Sequence, residues 1–124
     1  MENDQIRHIL SRLALAVILV GFGLWEIIQP AYWTAFVPSF LSGVAPAETL
    51  VFLHGIVLLV IGAAIFSGFY LRIASVLAAL VMVEIIGVLL LESGFTDLII
   101  RDVVVLLLAL SLVFDETYYL RIRK

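Results

Sequence analysis

Four nearly unbroken apolar stretches dominate the chain, at residues 13–28, 49–70, 73–91 and 98–114. With their flanks, each supplies the ~20 residues that a helix needs to cross a ~30 Å hydrocarbon layer. The runs are continuous rather than alternating, which excludes the strands of a membrane β-barrel. In lipid every backbone polar group needs an internal partner, and a helix provides one. The interruptions are few: Glu26 in the first run, His54 in the second, Glu84 in the third, and Arg101 with Asp102 in the fourth.

Composition removes the alternatives. Hydrophobic residues make up 65% of the 124 residues and charged residues 14%. Soluble domains run at roughly 45–50% and about 25%. A chain this short has too little interior to hide that surface from water. Cysteine is absent, which excludes disulfides, thiol redox chemistry and thiolate metal sites within this chain. A formal net charge of −3 gives no basic surface for nucleic acid. The expectation is an all-α integral membrane four-helix bundle, one domain over residues 1–124, with spans at approximately 10–28, 49–70, 72–91 and 97–114. Such a chain sits multi-pass in the cell membrane. Its first partner is the lipid bilayer, followed by a membrane-protein partner or a second copy of itself.

Charge placement predicts the orientation. Of the seven basic residues, Arg7, Arg12, Arg72, Arg121, Arg123 and Lys124 fall on one side of this arrangement, and only Arg101 lies toward the other. The positive-inside rule then puts both termini in the cytoplasm. Arg7 and Arg12 before an apolar run resemble a signal peptide, but no small-x-small cleavage site follows Leu24, so a retained helix is expected. His8 is expected at the cytoplasmic surface. Tyr118, Tyr119, Arg121, Arg123 and Lys124 read as an anchor to anionic lipid.

The connections carry their own signals. Residues 29–48 hold Pro30, Pro38, Gly43 and Pro46, with Tyr32, Trp33, Phe36 and Phe40 between them. Aromatic rings of this kind favour the headgroup zone, which predicts an interfacial re-entry or short surface helix. A tight turn is expected near residues 67–72, and Gly94 as a left-handed residue before a helix capped by Thr96 or Asp97. Gly21, Gly23, Gly55, Gly62, Ala74, Ser75, Ala78 and Ala79 are small enough to let helices approach closely in lipid.

Ionisable groups inside a span cost at least about 2.5–3.5 kcal/mol at its centre, so they need a reason. Placed by depth on four antiparallel spans, Glu26, His54, Glu84, Arg101 and Asp102 all fall in the outer third of the membrane. Glu84, for instance, stands twelve residues after Arg72, about 18 Å along a helix. Asp97 and Arg101 have the spacing of a pair on one helix. Neighbours Arg101 and Asp102 diverge by about 100° and are expected to serve different partners. Arg101 is expected to reach Glu84 or Glu26, and His54 to share a hydrogen bond with Asp102 or another carboxylate. Four readings fit such a set. They are a polar lock that fixes helix register, a small cavity for a polar ligand, quinone headgroup or proton, snorkelling of Glu26 to the interface, and a metal site from Glu26, His54, Glu84 and Asp102. No P-loop, serine triad, HExxH or dinucleotide motif is present. The chain therefore reads as a binding component rather than an enzyme, with neither metal nor haem expected.

A family resemblance rests on these same residues. Gly23-Leu24-Trp25-Glu26, followed by Pro30, Trp33 and Val37-Pro38, resembles the first helix and loop of DoxX-like membrane proteins. His54-Gly55 with Gly62 resembles their second helix, Leu71-Arg72-Ile73-Ala74 their turn into the third, and Arg101-Asp102 their fourth. The resemblance covers about residues 12–115. It implies a four-helix membrane bundle with a link to respiratory or redox complexes, since DoxX-like proteins include a subunit associated with thiosulfate:quinone oxidoreduction. More distant relatives act as assembly chaperones or cargo receptors. The chain departs from the pattern at Glu26, where many members have lysine, and at Leu58, where many have an acid. Glu84 stands as a local replacement for that acid. The resemblance implies a non-catalytic, quinone-linked subunit. The alternatives are a membrane module that binds lipid or an assembly partner, and a small proton-linked transporter.

Overall fold

The computed structural model describes the backbone of residues 2–122 and the side chains of residues 3–115. Among the described residues the chain is all-helical, without strands. Its helices are α1 (Glu2–Ile28), the short α2 (Pro30–Trp33), α3 (Ala47–Ser67), α4 (Leu71–Ser93) and α5 (Asp97–Ile122). Two 3-10 turns, Thr34–Phe36 and Ser39–Leu41, lie between α2 and α3. Among the described residues three helices, α1, α3 and α4, are long and apolar enough to cross a membrane. The first two turns of α5 carry Asp97, Arg101 and Asp102. The aromatic-plus-basic tail at Tyr118, Tyr119, Arg121, Arg123 and Lys124 lies outside the described side chains.

The inward seams have helical spacing. Val51, Gly55, Leu58, Gly62 and Ile65 face inward on α3. Ile99, Asp102, Val105, Ala109 and Leu112 do so on α5. The outward faces are just as apolar, with Val17, Ile28, Phe52, Val60, Leu80 and Leu107 all exposed. A helix that is apolar all round lies in a large core or in lipid. α1 packs most extensively along α3, and α4 along α5. α3 also meets α4, and α1 meets α5. At the start of α1, His8 is mostly buried, with Nδ1 3.6 Å from Asp115 Oδ2 of α5. The expected surface histidine is thus a contact between helices.

Small residues decide the closest approach. A methyl group at Gly23 would lie 2.8 Å from the Gly55 carbonyl oxygen, and one at Gly55 2.9 Å from the Gly23 oxygen. Only hydrogen fits on both sides, so the backbones of α1 and α3 touch there. Gly62 meets Val20 in the same way, with 2.8 Å to its Cγ2. Ala74, Ser75, Ala78 and Ala79 form the buried face of α4. Gly21 takes no part in this packing, because nothing lies within 4 Å of the space beside it.

The turns follow local chemistry. α3 ends in a Schellman motif: the Phe69 amide donates to Ala64 and the Gly68 amide to Ile65, at 3.0 and 3.2 Å. Gly68 takes the left-handed conformation at φ 78°. The guanidinium of Arg12 from α1 lies beside it, a cation at a helix C-terminus. Gly94 also has positive φ, but at φ 70°, ψ −164° it occupies a region open essentially to glycine alone, rather than the expected left-handed helical one. Thr96 opens α5 through its carbonyl, which accepts from the Ile99 amide at 3.1 Å. Its hydroxyl is buried without a partner among the described residues, so the expected side-chain cap from Thr96 is not formed.

Candidate functional site

The five ionisable residues singled out in the apolar runs line one cavity. Glu26, His54, Glu84, Arg101 and Asp102 reach it from α1, α3, α4 and α5. It has a volume of about 300 Å³, at the small end of ligand sites, which run from about 300 to 1,000 Å³. The rest of the wall is almost wholly apolar and includes Phe22, Leu58, Met82, Ile85 and Leu89. Trp33, Phe36, Val37, Pro38 and Leu41 close one side.

The close approach of α1 to α3 builds the first part of the site. Gly23 and Gly55 bring the backbones together, and Glu26 stands one turn beyond Gly23. Its Oε2 lies 2.9 Å from Nδ1 of His54, the neighbour of Gly55. Glu26 is 8% exposed. It is buried and hydrogen-bonded, which replaces the snorkelling reading. On the other edge of the imidazole, Nε2 lies 3.4 Å from Oε2 of Glu84. One histidine thus joins α1, α3 and α4. A neutral ring can donate through only one nitrogen, whereas an imidazolium can donate through both.

The second part belongs to α5. Arg101 Nε donates to Asp102 Oδ1 at 3.1 Å, and the guanidinium carbon lies 4.7 Å from the centre of the Phe22 ring. The expected partners, Glu84, Glu26 or Asp97, are therefore replaced by Asp102 and an aromatic face. Neighbouring Cα–Cβ directions do diverge, but the arginine side chain is long enough to fold back across that angle. The arrangement also satisfies the cation twice, by a carboxylate and by the ring quadrupole. Glu84 and His54 are meanwhile engaged with each other. Asp102 is 5% exposed, and its Oδ2 is buried without a partner among the described residues. Trp33 Nε1 is likewise buried and unpartnered.

The connecting segment is more than an interfacial loop. Tyr32 and Phe40 are exposed, as expected of rings in the headgroup zone. Trp33 and Phe36 turn inward instead and line the cavity. Trp33 packs edge-on against Phe22 and Trp25, at centroid distances of 5.8 and 5.2 Å. The segment is tied down near its middle, where Glu92 Oε1 accepts from the Ser39 amide at 3.1 Å and from its hydroxyl at 3.3 Å. Sequence reasoning missed this wall and the role of Glu92. The available signal was the three-residue spacing of Trp33 and Phe36, which puts both rings on one side of a helical turn. No group of three or more His, Cys, Asp or Glu among the described residues is placed to hold a metal ion. No protein-family model, curated protein or solved structure matches the chain.

Proposed function

We propose that this chain is a four-span DoxX-like protein of the cell membrane, with both termini cytoplasmic. It binds a small, largely apolar molecule with a polar head, of the quinone class, in a cavity near the outer face. It acts as a binding subunit of membrane redox metabolism rather than as a catalyst. The observation that carries this reading is the cavity itself, where an apolar wall surrounds a few convergent polar groups from four helices. That is the usual form of a small-molecule site. A register lock alone would need its pairs but no space between them. The fourth span is α5, whose early charges Arg101 and Asp102 are paired with each other. Arg7, Arg12 and Arg72, together at one end of the described helices, support the orientation.

Retention of a short-chain quinone by the purified, lipid-reconstituted protein tests the reading. Glu84 and Arg101 have the most exposed side chains of the five ionisable residues, 56% and 41%, and because Arg101 also pairs with buried Asp102, thermal unfolding of the variant beside the binding assay separates lost binding from lost folding. The wild type retains the quinone, and the Glu84→Ala, Arg101→Ala double variant loses most of it. Retention no greater in the wild type than in the variant overturns the proposal.

A further inference from the structure

We propose that the ligand reaches the cavity sideways from the lipid, through the seam between α1 and α5, and that Arg101 over Phe22 is the door across that seam. This rests on the small-ligand reading above and names the route that such a ligand takes. The other sides of the cavity are closed more firmly. Between α1 and α3 the backbones touch at Gly23 and Gly55, where a methyl group does not fit. α4 packs along α5 over an extensive contact. α3 and α4 are joined by the tight turn at residues 68–70, and at the level of the cavity His54 Nε2 meets Glu84 Oε2 across them at 3.4 Å. The stretch from Trp33 to Leu41 covers the remaining side and is tied to α4 through Ser39 and Glu92.

The α1–α5 seam is different. These helices are distant in sequence, and theirs is the lightest of the four contacts between long helices described above. His8 and Asp115 join them at the end away from the cavity. At the level of the cavity no hydrogen bond crosses from one to the other among the described residues. Arg101 donates to Asp102 of its own helix, and what spans the seam is its guanidinium carbon, 4.7 Å from the centre of the Phe22 ring. The Arg101 side chain lines the cavity and is 41% exposed, and a cation–π contact at an exposed site is weak. A swing of this one side chain therefore opens the seam without breaking any hydrogen bond between helices. Ile18 and Phe22 on α1 and Leu98 on α5 also line the cavity and are only half-buried, which gives the passage apolar sides. The ligand is thus of a class that dissolves in the bilayer, and its hydrocarbon tail rests in the seam once the head is inside.

The test locks the seam. Cysteine is absent from the sequence, so introduced thiols react alone. Phe22→Cys with Leu98→Cys puts one thiol on each helix and keeps Arg101, which lies one turn after Leu98. Ser39→Cys with Glu92→Cys does the same for the loop. Each pair is joined by a reducible bifunctional thiol reagent on the protein in lipid nanodiscs, and uptake and release of a labelled decyl quinone, fully substituted on the ring, are followed. Linking the seam before the ligand is added slows uptake at least about tenfold, and linking it after loading slows release as much. Trapping after loading separates a closed door from a damaged site, and cutting the linker restores both rates. Linking the loop changes uptake by less than about twofold, because the loop is a wall against the ligand and not its route. Phe22→Leu keeps apolar bulk, removes the ring under the guanidinium, and speeds uptake and release together by about two- to fivefold. Uptake stopped by the loop link instead of the seam link, or slowed by neither, overturns the inference and leaves the small-ligand reading standing. Where a cysteine pair does not fold, unchanged rates in folded Phe22→Leu overturn it. A wild type that takes up no quinone sinks the small-ligand reading itself.

Discussion

The two ends of the helix assembly are built from the same four long helices and are filled in opposite ways. At one end Leu15, Ile65, Ala78, Ala109 and Leu112 have no exposed surface. At the other, the same helices hold Glu26, His54, Glu84, Arg101 and Asp102 around an open space of about 300 Å³. Apolar residues were available to close that second end, as they close the first. The same helices pack closely at the first end, so the cavity belongs to the end that carries the polar residues and the Trp33–Leu41 stretch. In lipid, burial brings no hydrophobic gain between helices. The filled end is held mainly by apolar contact, with His8–Asp115 at its edge, and the open end by hydrogen bonds and ion pairs.

The largest expected effect breaks the open end at its bridge. His54→Leu leaves Glu26 buried without its partner and lowers stability by about 3 kcal/mol or more. A Glu26→Leu, His54→Leu double variant recovers most of that loss. Unfolding in a mixed-micelle denaturant series measures both, and a single-variant cost below about 1 kcal/mol would contradict the bridging role. Next in size is the contact between α1 and α3 beside that bridge. Gly55→Ala puts a methyl 2.9 Å from both Glu26 Cβ and the Gly23 oxygen, and costs about 1–3 kcal/mol by overpacking. Gly21→Ala, beside open space, stays within about 0.5 kcal/mol of the wild type. Equal effects at the two glycines would remove the close approach from the account. The smallest effect belongs to the loop. Glu92→Ala frees an exposed tie and costs under about 1 kcal/mol. Its signature is faster hydrogen exchange at Ser39 and faster ligand release, with the filled end unchanged.

The sequence was informative wherever a residue was costly for its surroundings. Long apolar runs bounded by Pro, Gly and charges located the helices, because no other element satisfies its backbone in lipid. Glu26, His54, Glu84, Arg101 and Asp102 were conspicuous for the same reason, and depth arithmetic alone brought them to one level. A carboxylate partner for His54 was legible and is found in Glu26 and Glu84, but which acid, and the partner of Arg101, were not. Those depend on rotation about each helix axis, and helices that are apolar on every face give no amphipathic stripe from which to read rotation. Arg101 shows the point: its partner is its own sequence neighbour, reached by a bend in the side chain that spacing does not encode. Trp33 and Phe36 were hidden differently. A ring that lines a cavity and a ring that floats at the headgroups are the same letters in the same kind of loop.

The histidine bridge also bears on the order of assembly. Glu26 belongs to the first long helix of the chain and His54 to the next. When helices enter the bilayer in chain order, the acid does not have to wait for a distant segment, because its partner arrives with the second hairpin arm. Backbone contact at Gly23 and Gly55 aligns the two at once. α4 then docks on a half-built pair that offers Glu84 the free edge of an imidazole, a landmark that distinguishes the correct vertical position from one a helical turn away. On helices whose surfaces are otherwise uniformly greasy, a single ring nitrogen becomes the mark by which sliding partners find their level.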